Sequence, residues 1–271
     1  GRLARQADPD RFLCALFLPE QQREAMFALI AWNAEIARAR EVASQPLIGL
    51  IRLQWWREVV EEAVAGRPPR HHEVAGPLAR AIAAHGLPAE AFERATRARE
   101  AVIEGEAPET LEDLAARARG EAEPLFSLGL ALMGERGADE VAGKAGEAFG
   151  LVGLLRSTAW LGRQGEVVLP RALLAEAGAD RETVLTEAGT AARRAVARVV
   201  AGRAGAALTR ARAASWGVEK GARVALLPLV LARASLKRLG RYEFDPLVEQ
   251  AVARGVGERV AVWWSAMRSR V

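Results

Sequence analysis

Apolar residues recur at three- and four-residue spacing along almost the whole of this 271-residue chain, and no segment sustains the alternation of a half-buried strand. Leu50, Leu53, Trp56 and Val60 show the pattern. A period near 3.6 lines such residues along one side of a helix, so the chain has stripes to bury rather than sheet faces. Ala, Leu, Arg and Glu dominate between the stripes, and all four favour helix. Punctuation falls at Gly66-Arg-Pro-Pro69, Gly86-Leu-Pro88, Glu106-Ala-Pro108, Gly134-Glu-Arg-Gly137, Gly162 to Pro170 and Asp245-Pro246. Helices are therefore expected over 9–18, 20–42, 46–65, 74–85, 88–104, 110–133, 138–160, 170–177, 180–186, 189–215, 219–239 and 245–268. Thr110-Leu-Glu-Asp113 has the residues of a capping box.

No composition shift, long linker or internal repeat divides the chain, so a single all-α domain over residues 1–271 is expected. Hydrophobic residues make up 51% of it, ample for a core. The lone Cys14 excludes an intramolecular disulfide and a multi-cysteine zinc site, and within the apolar run Phe12 to Leu18 it reads as a buried, inert thiol. No run approaches the ~20 apolar residues of a membrane span, and no secretory signal pattern is present.

The formal charge is +4, and only Lys144, Lys220 and Lys237 among the 38 basic residues are Lys. Arg is interleaved with Glu, as in Glu93-Arg-Ala-Thr-Arg-Ala-Arg-Glu100, which reads as a solvated helix face rather than a nucleic-acid stripe with stacking aromatics. Glu58, Glu61 and Glu62 read the same way. His71, His72 and His85 have no Cys or closely spaced acid to complete a metal motif. No cofactor is expected.

Two segments carry more information. The first runs Leu18-Pro-Glu-Gln-Gln-Arg-Glu-Ala-Met-Phe-Ala-Leu-Ile-Ala-Trp-Asn-Ala-Glu-Ile-Ala-Arg-Ala-Arg-Glu41, and the second runs from Phe149 through Leu155-Arg-Ser-Thr158 and Gly165 to Leu169-Pro170. Both resemble segments of the squalene/phytoene synthase family. That family carries Asp-Asp-x-x-Asp in the first and Asp-x-x-x-Asp in the second. Carboxylates four apart on a helix share a face and can share a divalent ion. Here Ala37 and Arg38 stand at the paired aspartates of the first motif, with Glu41 at the third acidic position, and Ser157 and Leu161 stand at those of the second. Ser and Leu cannot hold Mg²⁺, and the permanent charge of Arg38 opposes it. The resemblance implies a helical bundle around a central cavity and, with these substitutions, no metal site and no catalytic residues.

Ala31-Trp-Asn-Ala-Glu-Ile-Ala37, Ile48-Gly-Leu-Ile-Arg-Leu-Gln-Trp-Trp56 and Val167-Val-Leu-Pro170 most resemble a non-synthase branch of that family, the respiratory complex I assembly factor six group. This implies a noncatalytic part in building the membrane arm of NADH:ubiquinone oxidoreductase, with a subunit or assembly intermediate as partner. The expected setting is the bacterial cytoplasm, peripheral at the inner membrane, with a processed mitochondrial matrix protein as the alternative. Asn33, Glu35, Arg38, Arg52, Gln54 and Arg156 are polar residues in apolar helical surroundings. Buried polar groups need partners, so an ion-pair network such as Glu35 with Arg52 or Arg156 is expected, and an anion site made by Arg38, Arg52 and Arg156 is the alternative. Near the end, Trp263 and Trp264 beside Arg268 and Arg270 suit either a helix packed on the core or a contact with a membrane surface. Two other functions stay open: a prenyl-diphosphate condensing enzyme with an altered site, and an isoprenoid or lipid carrier.

Overall fold

Two glycines set the centre of the fold. A computed structural model describes residues 1–41, 45–105, 107–253 and 255–268, the side chains of Glu41 and Val256 excepted. Helices α7 (Leu111–Leu132) and α8 (Asp139–Arg163) run antiparallel across a short turn and make the most extensive helix contact in the molecule. A Cβ at Gly146 of α8 would lie 2.6 Å from the Glu123 backbone, and one at Gly150 would overlap the Ala118 carbonyl oxygen. Only glycine lets the two backbones approach this closely.

The other helices pack outward from this pair. On one side α10 (Thr190–Ser215) and α11 (Pro228–Arg241) lie on α8, with α9 (Arg171–Glu176) against α10. On the other, α6 (Ala89–Glu104) lies on α7, α4 (Pro46–Val64) on α6, and α3 (Glu20–Glu41) meets α4, α5 (Ala75–His85), α6 and α7. The short α1 (Arg2–Ala7) and α2 (Pro9–Ala15) close over α3, while α12 (Glu249–Val252) and α13 (Val256–Arg268) sit on α11. Helix α7 serves two cores. Its Phe126 and Leu130 enter the cluster built on α8 and α10, and its Leu125, Leu128 and Leu132 enter the cluster built on α3 to α6. The capping box at Thr110 forms, with the Thr110 amide donating to Asp113 at 2.9 Å and the Asp113 amide donating back at 3.1 Å.

No strand occurs among the described residues, as the periodicity predicts, and no described helix is long and apolar enough to cross a membrane. Four differences from the expected elements have local causes. Helix α1 precedes the first expected helix. The stretch 180–186 is a set of turns, because the Asp180 carboxylate accepts from the amides of Glu182 and Thr183 and from the Thr183 hydroxyl, competing with helical bonds. Pro228 splits the expected 219–239 helix into a 3₁₀ turn (Ala222–Leu226) and α11. The expected 245–268 helix is interrupted between α12 and α13, where the Gly255 amide turns to the Glu258 carboxylate at 3.3 Å.

A buried ion pair anchors the C-terminal third. Arg193 of α10, 4% exposed, donates to both oxygens of Asp245 at 2.9 and 3.0 Å. Burial pushes the Asp245 carboxyl up, but Arg193 and the Leu247 amide outweigh it and hold it below the usual carboxylate range.

The glycine contact gives a paired test on one helix. Gly150→Ala is expected to destabilise by about 1–3 kcal/mol, because overpacking outweighs the helix propensity gained. Gly153→Ala, whose Cβ would meet nothing within 4 Å, is expected to stabilise by up to about 1 kcal/mol. Urea unfolding of both variants measures the opposite signs.

Candidate functional site

The C-terminal ends of α3 and α8 flank a cavity of about 340 Å³, lined also by α6 and α7. Ala37 from α3 and Ser157 and Leu161 from α8 all line it. Three of the motif positions singled out from the sequence therefore meet across one space. The Ser157 hydroxyl donates back to the Leu154 carbonyl at 3.1 Å, and Leu161 is buried in the core of α8 and α10. Arg38 is exposed and pairs with Glu35 on its own helix. The Glu41 side chain lies outside the described residues.

A lattice of arginine and glutamate occupies the wall of this cavity. Glu121 of α7 accepts from Arg99 of α6 and, at 2.8 Å, from Arg117 one turn before it. Arg117 also donates at 2.7 Å to Glu166, in the loop after α8, and Glu166 is paired with Arg40 of α3. Four separate stretches of chain are thereby stapled together by three guanidiniums and two carboxylates. Burial pushes the Glu121 carboxyl up, but Arg99 and Arg117 outweigh it, so the group titrates below its ordinary range. Burial likewise pulls the Arg117 guanidinium down, and Glu121 and Glu166 more than restore it.

These donors do not fit Mg²⁺. A hard dication keeps several waters and takes free carboxylate oxygens. The two glutamates at the cavity are each engaged by two arginines, whose fixed charges repel a cation. Among the described residues no group of three or more His, Cys, Asp or Glu side chains is placed to hold a metal ion.

The polar residues singled out from sequence separate into different places. Glu35 accepts from Arg52 at 2.6 Å and from Arg38 at 3.0 Å, joining α3 to α4. Asn33 is half-buried on the same helix. Gln54 is exposed and bonds to Glu58 and Arg57 at 3.2 and 2.9 Å. Arg156 does not join Glu35. It donates at 2.7 Å to the buried Asp10 of α2. Arg38, Arg52 and Arg156 therefore do not converge on one anion, because a carboxylate claims each of them and Arg156 is tied to a different helix. The lattice residues Arg40, Arg99, Arg117, Glu121 and Glu166 escape sequence reading. Arg117 and Glu121 carry the four-residue spacing of an ordinary surface pair, and nothing local marks it as turned inward.

A second cavity of about 1010 Å³ adjoins the first, sharing Arg40, Val102, Arg117 and Glu166 with it. Its apolar surface comes from Ala98, Ala101, Val167, Leu174 and Ala175. Between α2 and α7 there is little room. Arg11 stacks 4.3 Å over the Phe149 ring, and the neighbouring void is about 20 Å³, space for roughly one water.

The sequence matches the family described as squalene/phytoene synthase over residues 4–262. The human protein named NADH dehydrogenase (ubiquinone) complex I, assembly factor 6 is 31% identical over 245 residues, spanning 90% of this chain and 73% of that one. Its counterpart from Bos taurus, with the same name, is also 31% identical over 245 residues, spanning 90% of this chain and 73% of its own length. Among solved structures, a dehydrosqualene synthase with bound ligand superposes with a TM-score of 0.81 at 15% identity, covering 97% of this chain and 93% of that one. A squalene synthase from Alicyclobacillus acidocaldarius gives 0.78 at 22% identity, with coverage of 90% and 93%. The fold is that of the squalene and dehydrosqualene synthases.

The lattice predicts a specific acid sensitivity. A carboxyl depressed in the folded state stabilises fully above its unfolded value, about pH 4.3 for Glu, and that contribution is lost as the pH falls through the lower folded value. Glu121→Gln is expected to cost about 2–4 kcal/mol at neutral pH, the lower end reflecting partial solvent screening. It should also flatten the decline in stability below the ordinary Glu range. Chemical unfolding of both proteins across acid pH checks both effects.

Proposed function

This chain belongs to the squalene/phytoene synthase family, and we propose that it acts without catalysis in the assembly of NADH dehydrogenase (ubiquinone) complex I, by binding a subunit or an assembly intermediate. One observation carries the noncatalytic part. Where the two motif helices meet, Ala37, Ser157 and Leu161 supply no carboxylate, and the nearby glutamates are already held by arginine. Synthase chemistry needs charge stabilisation of a departing diphosphate, which metal ions supply. Among the described residues that chemistry finds no free carboxylate ligands, so a condensing enzyme with an altered site is the weaker reading. The names of the assembly-factor relatives support the choice of partner.

The segment that resembles the assembly branch also bears an exposed apolar edge. Leu47, Ile48 and Ile51 at the start of α4 face solvent, while Leu53 and Trp56 of the same helix are buried. Exposed Arg38 lies at the end of α3, joined through Glu35 to Arg52 of α4. Apolar residues rimmed by arginine suit a protein partner. A carrier of lipid or isoprenoid is the second reading, favoured by the cavity of about 1010 Å³ with its apolar surface. A lipid found by mass spectrometry in the purified protein would raise it.

Deleting the gene is expected to reduce fully assembled complex I on native gels, and normal assembly would overturn the proposal. The purified protein should release no diphosphate from farnesyl diphosphate with Mg²⁺, and Mg²⁺-dependent release would refute the noncatalytic reading. Leu47→Asp with Ile51→Asp should fail to restore assembly in the deletion strain while keeping the unfolding midpoint of the parent, since both side chains are exposed.

A further inference from the structure

Helix α13 has two apolar faces, and only one is covered. Val262 on the inner face is 0% exposed, packed with Cys14, Leu227 and Leu231, with Ala266 beside it. On the outer face Val260, Trp263, Trp264 and Met267 are at least half exposed. Their spacing of three, four and seven residues makes one continuous stripe. The two indoles lie beside each other with ring centroids 6.3 Å apart.

The exposed charges of α13 itself have one sign. Arg259 and Arg268 are exposed on either flank, and Arg268 sits 4.0 Å over the Trp264 ring. Glu258, the only acid in α13, is buried and paired with Arg238 at 2.8 Å. The supporting helix α11 contains no acid and exposes Arg233 and Lys237.

We propose that the outer face of α13 lies in the headgroup region of an anionic lipid bilayer, with Trp263 and Trp264 as its anchors. Tryptophan favours that depth because its ring is apolar and its N–H keeps a polar partner, and flanking arginines reach anionic headgroups. No described helix can span a bilayer, so the contact is interfacial. A second copy of the chain fits less well. The helix is about 20 Å long, and four side chains on it fall short of the roughly 1,200 Å² that a stable dimer buries. A two-fold contact there would also bring like-charged arginines together. This surface does not depend on the assembly role, and it is tested without any complex I subunit.

The experiment is co-sedimentation of the full chain with vesicles of phosphatidylcholine alone or of phosphatidylcholine and phosphatidylglycerol in equal parts. The chain should bind the anionic vesicles more tightly, and less so as salt rises. Trp263→Ala with Trp264→Ala should weaken binding at least roughly tenfold. Arg259→Gln and Arg268→Gln should each weaken anionic binding about fivefold. Unfolding midpoints should not change, because all four side chains are exposed. Wild-type protein left in the supernatant, or a double tryptophan variant that binds as wild type does, would overturn the proposal. So would a dimer that the tryptophan variant abolishes, in the absence of vesicle binding, because the stripe would then belong to a second copy.

Discussion

The backbone contact between α7 and α8 is the constraint on which the rest of the molecule depends. Gly146 and Gly150 let α8 lie against Glu123 and Ala118 with no side chain between them. Two consequences follow. Helix α7 is drawn deep enough to bury opposite faces in both main cores, through Phe126 and Leu130 on one side and Leu125 and Leu128 on the other. The first turns of α7 are then held against the last turns of α8, which places Arg117 and Glu121 beside the loop carrying Glu166. A wider helix pair would leave these charges without partners, and an unpaired buried charge costs more than any single contact in the cluster supplies.

The lattice is a different solution to the problem that divalent ions solve in an aspartate-rich site. Carboxylates clustered between helices repel one another until cations neutralise them. Here the neutralising charge is covalently attached. Arg40, Arg99 and Arg117 arrive on three helices and hold Glu121 and Glu166 without any dissociable partner. Such a cluster is organised before anything binds, and its geometry does not vary with ion concentration. It also lacks the open coordination positions through which a metal meets a diphosphate. Elsewhere in the bundle Arg11 lies over the Phe149 ring and Arg156 is tied to Asp10.

Much of the fold is legible in the sequence because glycine and proline act locally. Gly66-Arg-Pro-Pro69 ends α4, Gly86 ends α5 in a left-handed conformation at φ 56°, and Thr110 starts α7 with its capping box. Where reading failed, the deciding interaction was a side chain bonding to backbone, as at Asp180, or a proline inside an otherwise helical pattern, as at Pro228. The site was legible only as a loss. Ala37, Ser157 and Leu161 stand where the resemblance places ligands, but the ion pairs beside them are not local. Glu166 meets Arg40 across 126 residues and Arg117 across 49. Arginine alternating with glutamate looks the same whether the helix face meets water or the interior, so Arg99 was hidden within a segment that reads as solvated.

The two exposed apolar patches differ in the kind of surface they suit. Leu47, Ile48 and Ile51 project from the first turns of a helix whose other face is firmly buried, and an ion pair ties that helix to α3. A patch on a helix held in this way suits a partner of fixed shape, since complementarity is kept only if neither side rearranges. The stripe on α13 belongs to a short, peripheral helix resting on α11. It presents two indoles and flanking arginines, and a fluid interface asks for no complementary shape. Under the proposed assembly role, the patch on α4 would select the client and the stripe on α13 would keep the chain at the bilayer where the client is built. In the cavity between α3 and α8 the fixed ion pairs tie α3, α6, α7 and the loop after α8 to one another.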